Sequence, residues 1–312
     1  MRKKLLLFIG FFFFVAWGCD KISLTDPPGI EVNIPADSLV FAVIGDYGLD
    51  SENEAAVADL VKSWDPDFII TTGDNNYDQG EMSTIEDNIT KHYGDYIYNY
   101  DAEEQYQCNG KAFDEQLNRF FPSPGNHDTY GISGMKPYLN FFTLPGNEAY
   151  YTFTWGDIAF FSMNSTASFM GEQEPWLKEQ LANTGKTFNI VYFHHSPYST
   201  GRHGNEQKMQ LDYYAMDVDV VFTGHDHLYS RIERTDEEGP YYVINGASGK
   251  SLYECGVNPL DEQEFAVTCY DDDFGAIKGT WDGTELTIAF YALSNMLDPV
   301  DRFSIGNVKN IK

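Results

Sequence analysis

The chain has 312 residues, with 48 acidic against 20 basic side chains, a formal net charge of −28 at pH 7 and an apolar content of 42%. That length and apolar content suffice for one large buried core. The acidic excess argues against nucleic acid as partner or polymeric substrate, because phosphate-backbone binding depends on basic surface.

Met1, Arg2, Lys3 and Lys4 are followed by an apolar run from Leu5 to Trp17, then Gly18 and Cys19. This order of charged, greasy and small residues predicts an export signal, too short for a membrane span of about 20 residues. A Cys directly after Ala16-Trp17-Gly18 suits the cleavage site of a bacterial lipoprotein. The expectation is a signal peptide over 1–19 with a lipidated Cys19 and a membrane-anchored periplasmic or cell-surface protein, the alternative being soluble secretion. Residues 20–38, rich in Pro, Asp and Ser without an apolar period, predict a tether, and 39–312 a single domain.

Five apolar runs then read as buried strands, each ending abruptly in a Gly, carboxylate, Asn or His. They are Leu39–Ile44 before Gly45-Asp46, Phe68–Thr72 before Gly73-Asp74, Phe120–Pro124 before Gly125-Asn126-His127-Asp128, Asn189–Phe193 before His194-His195, and Val218–Thr223 before Gly224-His225-Asp226-His227. Between them, Ser51 and Glu54 form a capping-box pattern for a helix to Trp64, and Pro175 opens a second helix. After residue 240 short runs at Tyr241–Ile244, Ala276–Trp281 and Leu286–Tyr291 predict a second sheet packed on the first. The segment 78–118, rich in Tyr, Asn and acidic residues, fits either a surface insertion or a pocket wall. Asp271-Asp272-Asp273 lacks a calcium-loop spacing and reads as solvated loop. Cys255 and Cys269 are near enough to close a short loop in an oxidising compartment, worth roughly 3 kcal/mol if they pair. The sequence leaves paired and free forms open, and Cys108 has no evident task.

In an open α/β sheet, functional groups gather beyond the carboxyl ends of the strands, where loops converge. Six of the seven histidines lie between residues 127 and 227. Singly, Asp46 reads as a cap, Asn126 as a turn residue and His225 as a surface histidine. Oxygen and imidazole donors delivered together by separate strand ends are what a hydrolytic metal site requires.

The blocks GDYG at 45, GDNNY at 73, GNHD at 125, HHSPYS at 194 and GHDH at 224 resemble, in order, those of the calcineurin-like metallophosphoesterases. Tyr77 in GDNNY places the resemblance in the purple acid phosphatase branch; other branches carry a His two residues after the first Asp, where this chain has Gly48. The resemblance implies an α/β four-layer sandwich of two mostly mixed sheets flanked by helices. It implies Fe(III) held by Asp46, Tyr77 and His227, with Asp74 bridging to a second ion, Fe(II), Zn or Mn, held by Asn126, His195 and His225. His195 is chosen over His194 because the family's ligand precedes Pro by two positions, as His195 precedes Pro197. His127 resembles the family's catalytic His, and His203, less closely spaced, a substrate-binding His. Arg202 beside it reads equally as a phosphate donor or an exposed loop residue.

The implied activity is hydrolysis of small phosphate monoesters by metal-bound hydroxide, with the metals drawing in the ester oxygens and His127 assisting the departing alkoxide. The alternatives are a phosphodiesterase or nucleotide hydrolase on the same metal core and, from another class, a noncatalytic surface-binding lipoprotein. A degenerate donor set would mark the last, and every donor is present.

Overall fold

The computed structural model describes residues 33–98, 118–166, 170–235 and 239–306. The signal, Cys19, most of the tether, Cys108 and the later half of 78–118 lie outside the described residues.

Two mixed sheets form the molecule. The six-stranded sheet has the order β14 (Asp301–Gly306), β13 (Glu285–Ala292), β12 (Gly275–Trp281), β2 (Leu39–Ile44), β3 (Phe68–Thr71), β4 (Phe120–Pro122). In it β2, β3 and β4 run parallel, and β12 joins β2 antiparallel. The eight-stranded sheet has the order β1 (Asn33–Ile34), β5 (Tyr151–Trp155), β6 (Ile158–Ser162), β7 (Phe188–Tyr192), β8 (Val220–Thr223), β10 (Tyr241–Asn245), β9 (Tyr229–Arg234), β11 (Glu264–Tyr270). Here β6, β7, β8 and β10 are parallel neighbours, β5 pairs antiparallel with β6 and parallel with β1, and β9 pairs antiparallel with both β10 and β11.

The five strands read from sequence are present, but they divide between the sheets, β2, β3 and β4 in one and β7 and β8 in the other. The runs after residue 240 also divide, β10 inserting beside β8 while β12 and β13 extend the sheet of β2. The expected separate C-terminal sheet is therefore corrected: apolar alternation makes a strand but does not choose its neighbour. Asn33–Ile34 pairs with Thr154 and Trp155, so the sheet reaches into the segment read as tether. Edge pairing uses backbone groups and leaves little side-chain pattern to read.

An aromatic core joins the sheets. Phe41 of β2 meets Phe160 of β6 edge-on at 5.4 Å, and Phe68 of β3 meets Phe153 at 5.5 Å and Phe160 at 5.1 Å. Each such ring contributes about 1.5–3 kcal/mol through burial.

Helices cover the outer faces. Helix α1 (Glu52–Ser63) starts at Ser51, whose Oγ accepts from Glu54 N at 3.1 Å, and buries Val57, Ala58, Leu60 and Val61 on the six-stranded side. The Glu54 carboxylate reaches back to accept from Leu49 N and Asp50 N, at 3.0 and 2.7 Å, closing the start of the helix. After a short helix α2 (Lys91–Tyr93) and α3 (Lys136–Phe141), α4 (Met170–Asn183) lays Leu177 and Leu181 on Phe161, Val191 and Val221 of the eight-stranded sheet. Pro175 lies inside α4 rather than opening it. Near its start Gln173 exchanges two hydrogen bonds with the backbone of Asn164, anchoring the first turn to the end of β6. The layers are thus helix, sheet, sheet, helix, as expected.

The described part of 78–118 is not a surface insertion. Ile85, Ile89, Tyr93, Tyr96 and Ile97 are buried in the main core. From behind, Asn88 Nδ2 donates to Tyr77 O and Asn76 Oδ1, each at 2.8 Å, bracing the turn that carries Tyr77.

Candidate metal centre

The carboxyl ends of β2, β3, β4, β7 and β8 open on one crevice, and the turns after them carry the site. Asp46, Asp74 and His225 have positive φ (54°, 52° and 70°), a conformation that costs a non-glycine residue energy and persists where the surroundings enforce it. The preceding glycines serve close approach: a Cβ on Gly125 would lie 2.2 Å from Asp74 Oδ1, and one on Gly224 2.4 Å from Asp46 Oδ2.

Two sets of donors meet at Asp74. In the first, Tyr77 Oη lies 3.2 Å from Asp46 Oδ1, 3.0 Å from Asp74 Oδ2 and 3.4 Å from His227 Nε2, and His227 Nε2 lies 3.3 Å from Asp46 Oδ1. In the second, His194 Nε2 lies 3.3 Å from Asp74 Oδ2, 2.9 Å from Asn126 Oδ1 and 3.1 Å from His225 Nδ1. Donors about 2.1 Å from one ion stand about 3.0 Å apart as octahedral neighbours and about 3.4 Å as tetrahedral ones, so both sets have the spacing of a coordination shell. Asp74 Oδ2 is common to both.

Neighbouring groups aim these donors. His194 Nδ1–H donates to Thr72 O at 2.9 Å and His227 Nδ1–H to Ser251 O at 2.6 Å, which turns each Nε2 toward the carboxylates. His225 N donates to Asp46 Oδ2 at 2.9 Å, and His127 N to Asp74 Oδ1 at 2.8 Å. Asp128, fully buried, accepts from Gly125 N and from the Asn75 backbone and side chain, tying two of the site turns together. Burial and the Asp74 charge push the Asp128 carboxyl up to about 7.

The electrostatics favour a cation at the centre. Burial works against the charged form of His194, yet the Asp74 and Asp46 carboxylates override it and hold the imidazole at about 9. His195 is pushed down to about 3, because burial and the neighbouring His194 and Lys208 outweigh the pull of Asp74. Burial and the same two carboxylates raise the Tyr77 phenol well above its usual range, so its ionisation requires a positive charge beside it.

All seven residues expected as metal donors lie at this crevice, and a ring nitrogen of His195 lies within 4.8 Å of ring nitrogens of His194 and His225. His195 Nδ1 lies 2.8 Å from Ser165 Oγ, and its ring packs beside His194 and His225 with centroids 4.9 and 4.4 Å away. His194, to which the sequence reading gave no ligand role, makes the contacts with Asp74 and Asn126. Distance to Pro197 favoured His195; the bend at the end of β7, which turns His194 inward, is invisible at that level. The bracing roles of Asp128, the last residue of GNHD, and of Asn88 leave no local signal in the sequence.

His127 Nδ1–H donates to Asp78 O at 2.6 Å, and its Nε2 lies 4.0 Å from Asp74 Oδ2. The His203 ring stacks on His225 with centroids 3.9 Å apart. Arg202 lies over Tyr253 at 5.3 Å, and Tyr253 stacks on His227 at 4.0 Å. Cys255 and Cys269 are joined in a disulfide. Asp271 and Asp273 accept from the backbone N–H groups of Cys255 and Ser294 at 2.7 Å each, as loop residues.

A fold of two mixed sheets flanked by helices, with ordered donor turns at one edge, defines a class. Residues 39–229 match the calcineurin-like phosphoesterase family, and the chain belongs to it. Its curated relatives include Purple acid phosphatase 23 of Arabidopsis thaliana, 29% identical over 262 residues covering 74% of this chain and 56% of the relative. Purple acid phosphatase 17 of the same plant is 24% identical over 284 residues, 81% of each chain. Among solved structures, purple acid phosphatase PPD1 from yellow lupin (Lupinus luteus) seeds superposes with a TM-score of 0.68 at 19% identity, covering 90% of this chain and 55% of that one. GAP50, the anchor in the inner membrane complex of Plasmodium, superposes with a TM-score of 0.63 at 18% identity over 86% of this chain and 89% of that one. The chain thus spans little more than half of two of these relatives.

Proposed function

We propose that this chain is a metal-dependent phosphoesterase of the purple acid phosphatase type, hydrolysing small phosphate monoesters at a two-metal centre. The observation that carries the reading is the shared Asp74 Oδ2, 3.0 Å from Tyr77 Oη in one donor set and 3.3 Å from His194 Nε2 in the other. Asp46, Tyr77 and His227 would hold the first ion, Fe(III); Asn126, His194 and His225 the second, Fe(II), Zn or Mn; Asp74 would bridge them. His194 here replaces His195, which becomes a neighbour held by Ser165. When bound, the metals supply positive charge to the phosphoryl oxygens and lower the pKa of water.

The chain's own groups supply the remainder. With Nδ1–H held by Asp78 O, His127 presents Nε2 to the crevice; in its doubly protonated form the ring would carry a second proton there, which it could pass to the departing alkoxide, leaving the neutral imidazole. His203, stacked on His225, would offer a ring N–H to a phosphoryl oxygen, and Arg202 next to it a further anion contact. Tyr77, wedged between the two carboxylates, would ionise beside the first ion and give the coloured charge transfer of the family. The disulfide suits an exported protein in an oxidising compartment.

The test is a visible spectrum and metal analysis of the purified protein, then hydrolysis of p-nitrophenyl phosphate and bis(p-nitrophenyl) phosphate. A broad visible band, two metals and monoester turnover support the proposal. A colourless two-metal protein that prefers the diester moves the function to phosphodiester hydrolysis, and two metals with neither activity leave a binding role.

A further inference from the structure

The turn His225-Asp226-His227 faces two ways. The imidazoles at its ends join the two donor sets, while the carboxylate between them, 1% exposed, points to the other side. There Asp226 Oδ2 accepts from Ser199 Oγ at 2.5 Å and Oδ1 from His203 N at 2.8 Å. Ser199 Oγ in turn accepts from Gly201 N at 3.0 Å. The loop wraps so tightly that a Cβ on Gly201 would lie 2.4 Å from the Asp226 carboxyl carbon.

The outer side of the same loop is also held. Asn258, inside the ring closed by Cys255 and Cys269, donates from N to Thr200 O at 3.0 Å and from Nδ2 to Gly201 O at 2.5 Å. Residues 199–203 are therefore gripped between a buried carboxylate of the metal turn and a disulfide-closed loop. What they present to the crevice is Arg202 and the His203 ring.

We infer that Asp226 is a positioning residue: through Ser199 and the backbone of His203 it sets His203 against the metal turn, so that the phosphoryl-binding imidazole and the metal ligands move as one body. The inference rests on the phosphoesterase reading for its kinetic consequence, but its binding consequence stands apart. A misplacement of about 1 Å at such a group lowers turnover by up to about 100-fold.

The experiment compares the metal-loaded protein with Ser199→Ala, Asp226→Asn, His203→Ala and the double variant Ser199→Ala/His203→Ala. It measures metal content, kcat and KM for p-nitrophenyl phosphate, and calorimetric binding of inorganic phosphate. Ser199→Ala lies outside the metal turn and is expected to keep both metals, bind phosphate about 10-fold more weakly and lose about 10- to 100-fold in kcat/KM. In the His203→Ala background the same change should have less than about a 2-fold effect, because both act through one imidazole. Asp226→Asn, which keeps an acceptor for His203 N, should fall between Ser199→Ala and the parent. Loss of metal from Ser199→Ala, an undiminished effect in the His203→Ala background, or unchanged phosphate affinity would overturn the inference. If the parent hydrolyses neither ester, the phosphoesterase proposal fails while the phosphate-binding comparison still decides the role of Asp226.

Discussion

Replacing His194 or His195 singly by Ala separates two ligand assignments that the sequence places one residue apart. His194 Nε2 stands 2.9–3.3 Å from Asn126, His225 and Asp74 and is one of four donors in the second set. His195 directs Nδ1 to Ser165 Oγ instead. Losing a group that merely orients a ligand costs about 10- to 100-fold in metal affinity. Losing a donor should reach at least the upper end of that range, about 2.7 kcal/mol for 100-fold. The expected outcome is therefore one metal per chain in His194→Ala after dialysis against a moderate chelator, and two in His195→Ala with affinity lowered about 10-fold or less. Inductively coupled plasma analysis and chelator competition read both, with thermal unfolding as the check on folding. Two metals in His194→Ala together with one in His195→Ala would refute the geometric argument.

Tyr77→Phe should leave the fold intact and abolish the visible band of the iron-loaded protein; a band of undiminished intensity would remove Tyr77 from the first site. Cys255→Ser/Cys269→Ser should lower stability by roughly 3 kcal/mol, the chain-entropy value for a loop of this length, and urea unfolding with unchanged midpoint would contradict it. Burial pushes the Glu54 carboxyl from its usual range up to about 8. The folded state therefore retains a proton that the unfolded state has released, and stability falls as pH rises from about 4.5 to 8. Glu54→Gln removes that titration. Relative to the parent it should gain stability between pH 5 and pH 8, by a few kcal/mol at about 1.4 kcal/mol per pH unit, and parallel stability profiles for the two proteins would show that Glu54 does not titrate this way.

Much of the site was legible because its signal is local. An apolar run that stops at Gly-Asp or Gly-His records both a buried strand and the turn after it, and ordered repetition of such stops is improbable in a chain without a site. Asp46, Asp74, Tyr77, Asn126, His225 and His227 lie together at one crevice, and Ser51 caps α1 as its spacing requires. Helix α4 begins before Pro175 because a proline marks a first turn only when nothing else anchors an earlier start, and Gln173 is anchored to Asn164.

The sequence by itself determined the donor types, their order and the strands that deliver them, since each depends on residues adjacent along the chain. Which sheet each strand joins, the part of 78–98 that braces Tyr77, the approach of His194 to Asp74 and Asn126, and the reach of Asp226 to Ser199 and His203 were decided by tertiary structure. Those contacts link residues tens to hundreds of positions apart, and their geometry depends on how two sheets pack across an aromatic core, which no local pattern records.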